Sequence, residues 1–471
     1  MTKHLFHPTV LREYDIRGTY GDTLTTKDAA ALGRAFGSVV LRDGKAGKQV
    51  CVGYDGRVSS PDLEKALVEG LASTGCDVLR IGLGPTPMLY FSVFHYNSGA
   101  GVMVTGSHNP KDQNGFKIML GKSSFHGADI TRLGDIAKAG DFPQGRGTVD
   151  SKSPFAAYVD ALVGAYPTAP NGKKLVVAWD PGNGAAGDAV RALTARLPGR
   201  HILINEKIDG TFPAHHPDPT EEKNLEQLRA TVRANHCDLG LAFDGDGDRL
   251  GVVDGSGEVV WADQILALVA KEVLENHPGA TVVADVKSSQ VLYDEIRRLG
   301  GKPLMWKTGH ALIKSKMREI GAPLAGELSG HLFFADRYYG FDDALYAAVR
   351  VLAMVTMEKG SLADLVNRLP KLVNTPEMRF FCAEEHKFEV IDEVKARVVA
   401  AGASVIDIDG VRIQTPDGWW LLRASNTQAA LVVRAEARDK AALARLRKAV
   451  ELQLSQSGVK LPDEDAPLSH H

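Results

Sequence analysis

Three times in this chain an apolar run ends in an aspartate and opens a helical pattern. The runs are Val50-Cys51-Val52-Gly53-Tyr54-Asp55, Leu175-Val176-Val177-Ala178-Trp179-Asp180 and Val282-Val283-Ala284-Asp285. A second apolar run follows each one, at Val78–Gly82, Ile202–Asn205 and Pro303–Trp306, and a third run then feeds an unusual loop. Those loops are Gly106-Ser107-His108, Asp244 to Arg249, and Gly326-Glu327-Leu328-Ser329-Gly330-His331. Strand, helix, strand at these lengths predicts parallel α/β units, and in open parallel sheets ligands gather at the carboxyl ends of strands. All three loops fall there.

The last hundred residues break the pattern. Val411–Thr415 and Trp419–Arg423 flank Pro416-Asp417-Gly418, a hairpin signal, and Ala430–Arg434 reads as a further strand. Residues 439–455 carry a helical period through Leu443, Leu446, Val450 and Leu454. A chain of 471 residues exceeds what one core supports. We therefore expect α/β domains at 1–150, 151–256 and 257–370 and an α+β domain at 371–471.

Asp244, Asp246 and Asp248 carry the clearest chemistry. Positions i, i+2 and i+4 of an extended chain face one way, so the carboxylates converge. Each close pair of like charges costs about 4 kcal/mol at an effective dielectric near 20. A hard divalent cation removes that cost, and magnesium fits better than calcium. As an EF-hand the loop would need glycine at Arg249 and glutamate at Gly255. Ser107, in Thr105-Gly106-Ser107-His108-Asn109-Pro110, offers a hydroxyl on a tight turn where Gly106 supplies permissive geometry. Hydroxyl and metal loop together point to phosphoryl transfer.

The other half of phosphate recognition is cationic. Arg249 follows the aspartates, Lys117 lies in Asn114-Gly115-Phe116-Lys117, and Tyr14 and Arg17 share the segment Glu13–Gly18. Arg423-Ala424-Ser425-Asn426-Thr427 sets a guanidinium beside two hydroxyls and an amide, a set suited to an oxyanion. His108 reads equally as a phosphate contact or as a cap of its turn. Glu327, Ser329 and His331 suit a grip on sugar hydroxyls, and spacing alone equally allows a polar loop without a ligand.

A rival from another class rests on Gly182-Asn183-Gly184-Ala185-Ala186-Gly187, which fits the dinucleotide fingerprint and has Glu206 downstream. On that reading the chain is an NAD-binding oxidoreductase. The segment occupies the repeat position of Asp55-Gly56-Arg57 and Asp285-Val286-Lys287, where close strand-to-helix packing explains its glycines equally well. No Walker A or G-x-S-x-G motif is present.

The four loops Thr105–Pro110, Asp244–Arg249, Gly326–His331 and Arg423–Thr427, in this order, resemble the signature loops of the α-D-phosphohexomutases, and most nearly the bacterial phosphomannomutase/phosphoglucomutase group. Leu328 replaces that group's methionine. Asn426 replaces the glycine usual in phosphoglucosamine mutases, which leaves that activity as the alternative. The resemblance covers the whole chain. It implies three similar mixed α/β sandwich domains plus a smaller α+β C-terminal domain around a central cleft. It implies one Mg2+ per chain on Asp244, Asp246, Asp248 and a phosphorylated Ser107. Reversible conversion of hexose 1-phosphate and hexose 6-phosphate, of mannose and of glucose, would pass through a hexose 1,6-bisphosphate, which also acts as activator. Lys117 and His331 would move protons, with Arg249 and His108 at the transferring group. Glu327 and Ser329 would hold the sugar, Arg423, Ser425, Asn426 and Thr427 the idle phosphate, and Tyr14, Arg17, Lys287 and His310 would line the cleft.

The charge balance of 55 basic and 58 acidic residues argues against a nucleic-acid partner. Cys51, Cys76, Cys237 and Cys382 lack paired spacing, which disfavours zinc or disulfides. No stretch reaches membrane-spanning length. Hexose phosphates as partners, no membrane, a cytoplasmic location and a monomer are the expectations, with an oligomer left open.

Overall fold

The structure is a computed structural model that describes residues 3–12, 15–44, 47–167, 173–383, 385–425 and 429–461. It contains four sheets, and three of them share one plan. In the first, Gln49–Tyr54 lies between Asp77–Leu83 and Ala100–Val104, parallel to both, and Gln113–Leu120 returns antiparallel to Ala100–Val104. The second repeats this with Val176–Asp180, Arg200–Leu203, Leu239–Phe243 and the antiparallel Leu250–Asp254. The third uses Thr281–Asp285, Lys302–Trp306, Leu324–Gly326 and the antiparallel Leu332–Phe334. Each unusual loop is therefore the turn between the last parallel strand and its antiparallel partner. Such a turn must reverse the chain within a few residues, which explains the density of glycine there.

The fourth sheet is antiparallel throughout and carries the helices Lys387–Ala400 and Lys440–Gln456. The Trp419–Arg423 run forms strand Gly418–Ala424, paired on both sides, and the terminal helical period is realised in full.

Core packing separates this last unit from the rest. One continuous buried cluster runs from Cys51 and Met103 through Trp179 and Phe243 to Leu266 and Phe334, crossing three sheets. The fourth sheet and its helices bury a separate cluster around Trp420, Val433 and Leu446. Only Val286, Trp419 and Leu421, with Met305, bridge the two. Arg412 supplements that small bridge: it is fully buried, donates to the Val286 carbonyl at 2.6 Å and the Ser288 carbonyl at 2.9 Å, and lies over the Trp419 ring. The first three sheets thus form one body, and the fourth is attached through a narrow, partly polar seam.

The cysteines are all buried and free, and burial raises the Cys51 thiol to about 11, so these thiols are inert. Among the described residues no helix is long and apolar enough to cross a membrane.

Trp179 sits at the centre of the shared core, stacked on Phe243 at 6.1 Å and donating its indole N–H to His201 at 3.1 Å. Trp179→Ala is expected to lower the stability of the three-sheet body by about 3–5 kcal/mol, read as an earlier urea transition. An unchanged transition would show that the side chain is not an anchor of the shared core.

Candidate active site

Asp55, at the end of its strand, sets the serine turn. Its Oδ2 accepts from Thr105 Oγ1 at 2.8 Å and from Gly106 N–H at 3.2 Å, and its Oδ1 accepts from Arg57 N–H at 3.0 Å. The Arg57 guanidinium, buried beneath the turn, donates to the carbonyls of Ser107 and Asn109 at 2.7 Å, Pro110 at 2.6 Å and Gln113 at 3.0 Å. Four carbonyls held by one planar cation fix the turn without any help from substrate. A Cβ on Gly106 would stand 2.5 Å from Arg57 Nε. The glycine is needed for that approach and not for its own backbone angle, contrary to the expectation from sequence. The strained residue is Ser107, at φ +49°, a conformation that costs about 1–2 kcal/mol outside glycine.

The serine meets the acidic loop directly. Ser107 Oγ donates to Asp244 Oδ2 at 3.0 Å and lies 3.2 Å from His108 Nδ1. A Cβ on Gly245 would be 2.3 Å from the Ser107 carbonyl oxygen, so the two loops touch backbone to backbone. Asp244, Asp246 and Asp248 are fully buried and converge as expected. The cause is a turn and not strand alternation: Gly247 takes φ +75°, and Asp244 Oδ1 accepts from Asp248 and Arg249 N–H at 3.1 and 3.2 Å. Thr86 secures the same turn, donating from both its backbone and its hydroxyl to Asp246.

Burial and the Asp246 and Asp248 charges push the Asp244 carboxyl well above the carboxylate range. Against burial, the same carboxylates hold the Lys117 ammonium far above its usual value, 2.7 Å from Asp246 Oδ2 and in contact with Asp248. One ammonium against three carboxylates leaves the site short of positive charge. Asp246 Oδ1 and Asp248 Oδ1 are buried without a hydrogen-bond partner. One oxygen from each aspartate lies within 4.8 Å of the others, a spacing that fits the oxygen shell of a small hard cation.

The third loop closes against the second. Leu250 N–H donates to the Gly330 carbonyl at 3.0 Å, and His331 Nε2 lies 3.4 Å from Asp248 Oδ1. His331 Nδ1 faces Ser329 Oγ at 2.9 Å and Glu327 Oε2 at 3.1 Å. Burial opposes protonation of His331, yet Asp248 and Glu327 raise it to about 9, so it is an imidazolium at neutral pH. His108 is the opposite case: burial, then Arg249, Arg17 and Lys117, hold it neutral.

Comparison with known proteins agrees with this geometry. The descriptions phosphoglucomutase/phosphomannomutase alpha/beta/alpha domain I, II and III match residues 8–143, 156–257 and 261–373, and the C-terminal domain of the same family matches 377–453. The chain belongs to the phosphoglucomutase/phosphomannomutase family. A phosphomannomutase/phosphoglucomutase of Pseudomonas aeruginosa is 41% identical over 454 residues, covering 96% of this chain and 97% of that one. A Neisseria gonorrhoeae phosphoglucomutase is 41% identical, covering 93% and 95%. The crystal structure of a phosphoglucomutase/phosphomannomutase family protein from Burkholderia thailandensis superposes with a TM-score of 0.91 at 41% identity, over 98% of this chain and 100% of that one.

The glycine segment at 182–187 has no dinucleotide pocket in this family member. A Cβ on Gly184 would lie 2.8 Å from the Gly245 carbonyl oxygen, and Ala185 N–H donates to that same oxygen at 2.9 Å. The space a pyrophosphate would need is filled by the acidic loop, which is the close packing the repeat position suggested.

The remaining expected residues divide into two groups. Arg17 reaches Asn109 of the serine turn, and Arg249, buried with an unpartnered Nε, is surrounded by Asp218, Asp244 and Asp248. Both stand at the serine. Lys287 pairs with Glu377 at 2.9 Å, and Arg423 donates to Asp409 at 3.1 Å while Asp409 also accepts from Thr308 N–H at 3.0 Å. These belong to the seam with the fourth sheet, where the Ser425 carbonyl accepts from Lys387 at 2.6 Å. Tyr14, Asn426 and Thr427 lie outside the described residues. Arg57, Thr86 and Asp409 were not singled out from sequence. The Asp-Gly-Arg at the first strand end was the one available signal for Arg57.

Gly245→Ala should separate the serine and acidic loops by a fraction of an ångström. We expect turnover to fall about a hundredfold while the Michaelis constant changes little. Unaltered turnover would mean the backbone contact does not set the reaction geometry.

Proposed function

We propose that the protein interconverts the 1-phosphates and 6-phosphates of mannose and glucose by passing a phosphoryl group to and from Ser107. The observation that carries this is the buried contact of Ser107 Oγ with Asp244 at 3.0 Å, beside two orphaned carboxylate oxygens. Asp244, Asp246 and Asp248, with an oxygen of phosphorylated Ser107, would hold one Mg2+. When bound, the ion supplies the positive charge this site lacks and screens the phosphoryl oxygens during transfer.

This chain's own groups do the rest. In the forward half-reaction the Ser107 Oγ–P bond breaks, a bond from phosphorus to a sugar hydroxyl oxygen forms, and that hydroxyl releases its proton. Phosphoryl transfer asks mainly for alignment and charge neutralisation, which the Arg57-clamped turn and Arg249 provide. The product of that step is a hexose 1,6-bisphosphate. After it turns end for end, its other phosphate returns to Ser107, whose hydroxyl proton has Asp244 Oδ2 and neutral His108 Nδ1 as acceptors within reach. His331, an imidazolium here, serves as a proton donor and Lys117 as a cation at the metal loop.

Glu327 and Ser329 hold sugar O3 and O4, which mannose and glucose share, so the C2 epimers are both accepted. Arg423, with Ser425, Asn426 and Thr427, clamps the phosphate that is not reacting. The narrow attachment of the fourth sheet suits a clamp that closes and reopens once per half-reaction. Inert thiols fit a reducing cytoplasm, and we place the working protein there as a monomer, with hexose 1,6-bisphosphate as its activator.

Ser107→Ala should abolish nearly all turnover, and chelation should do the same to the native protein until magnesium is restored. Full activity in Ser107→Ala would end this reading. Arg423→Ala should cost about ten- to a hundredfold in kcat/KM, with a raised Michaelis constant because ground-state phosphate binding is lost. An unchanged Michaelis constant would remove Arg423 from the clamp. A marked preference for glucosamine phosphate over both other substrates would reassign the sugar.

A further inference from the structure

A second set of buried ligands lies on the far side of Asp248. Asp248, His331 and Asp342 each present a donor atom within 4.8 Å of the other two, and all three residues are buried. His331 Nε2 is 3.4 Å from Asp248 Oδ1, and His310 Nδ1 is 3.2 Å from Asp342 Oδ2. Two ligands of a tetrahedral zinc ion stand about 3.3 Å apart. At these separations the atoms would ordinarily be hydrogen-bonded, yet Asp248 Oδ1, Asp342 Oδ2 and His310 Nδ1 are buried and have no such partner. Their lone pairs are not aimed at one another. Unsatisfied buried acceptors of this kind cost about 1–3 kcal/mol each, and an ion among them would relieve all three.

The surroundings fit a metal centre as well. Each carboxylate has its other oxygen held by a lysine: Lys117 contacts Asp248 Oδ2, and Lys314 donates to Asp342 Oδ1 at 2.6 Å. His331 turns Nδ1 toward Ser329 Oγ and Glu327 Oε2. With its proton on Nδ1, the ring offers the Nε2 lone pair inward, the carboxylate–histidine–metal arrangement that raises ligand basicity. The His310 and His331 rings stack at 5.3 Å, so both nitrogens reach the same space.

We propose that Asp248, His331 and Asp342, with His310 as a fourth donor, form a site for a borderline divalent cation such as Zn2+ or Co2+, separate from the all-oxygen aspartate site. Two imidazoles and two carboxylates select against magnesium, which favours oxygen alone. Asp248 is common to both sites, with one oxygen toward Asp246 and Lys117 and the other toward the imidazoles. Occupancy immobilises His331, and the protein is therefore inhibited by trace zinc even when magnesium is abundant. Binding follows from the ligand geometry alone; inhibition rests on the role given to His331 above.

Visible absorption of Co2+ in the full-length protein, titrated under excess Mg2+, tests the site. We expect one Co2+ per chain with the intense spectrum of a low-coordinate nitrogen–oxygen shell, and a loss of affinity of at least about tenfold in Asp342→Asn. Co2+ fully displaced by Mg2+, or bound equally well by Asp342→Asn, would overturn the proposal. Should that variant not fold, anomalous scattering from zinc-soaked native crystals decides. A peak among Asp248, His331 and Asp342 supports the site, and a peak confined to Asp244, Asp246 and Asp248 refutes it. Co2+ binding that leaves turnover untouched would keep the site and overturn the inhibition, along with the role of His331.

Discussion

The contact between the serine turn and the acidic turn governs this molecule. Three carboxylates are buried together, with Lys117 the ammonium among them, and the hydroxyl of Ser107 points into their midst. Left alone such a cluster is unfavourable, since every like-charged pair loses the screening of water. It persists because a rigid scaffold surrounds it: Asp55 and Arg57 beneath one turn, Thr86 beneath the other, and a core running unbroken through three sheets. The folding energy of the large body thus holds open a charge deficit that a cation and a phosphate can use.

The same architecture explains why the fourth sheet is built differently. A site fixed on three fused sheets aligns one phosphate well, but a substrate that reacts at two ends has to leave and return reversed. The seam to the fourth sheet is small in apolar area and depends on Arg412, Lys287–Glu377 and Asp409, contacts that can break and reform at modest cost. Rigidity and mobility are divided between two bodies.

Much of this was readable in the sequence, because the constraints were local. The threefold strand–aspartate pattern marked the positions where a chain must reverse tightly, and the structure confirms the mixed sheets, the antiparallel terminal unit and the convergence of the trio. Two physical causes were misassigned. Gly106 gives room for Arg57 instead of flexibility, and the aspartates meet through a turn with Gly247 in the left-handed region. Arg57, Thr86 and Asp409 act on backbone or partners many residues away, and a single sequence shows no such pairing. The dinucleotide-like glycines illustrate the reverse: the local pattern was correct for close packing, and only the three-dimensional neighbour, Gly245, tells which atoms do the packing.

The covalent role of Ser107 is the claim on which the rest stands. Intact mass of the protein before and after incubation with a hexose 1,6-bisphosphate, followed by peptide mapping, tests it most directly. The account predicts one phosphoryl group per chain on the peptide containing Ser107, removed again by a hexose monophosphate. A phosphoryl group on any other peptide, or none with turnover intact, would contradict it.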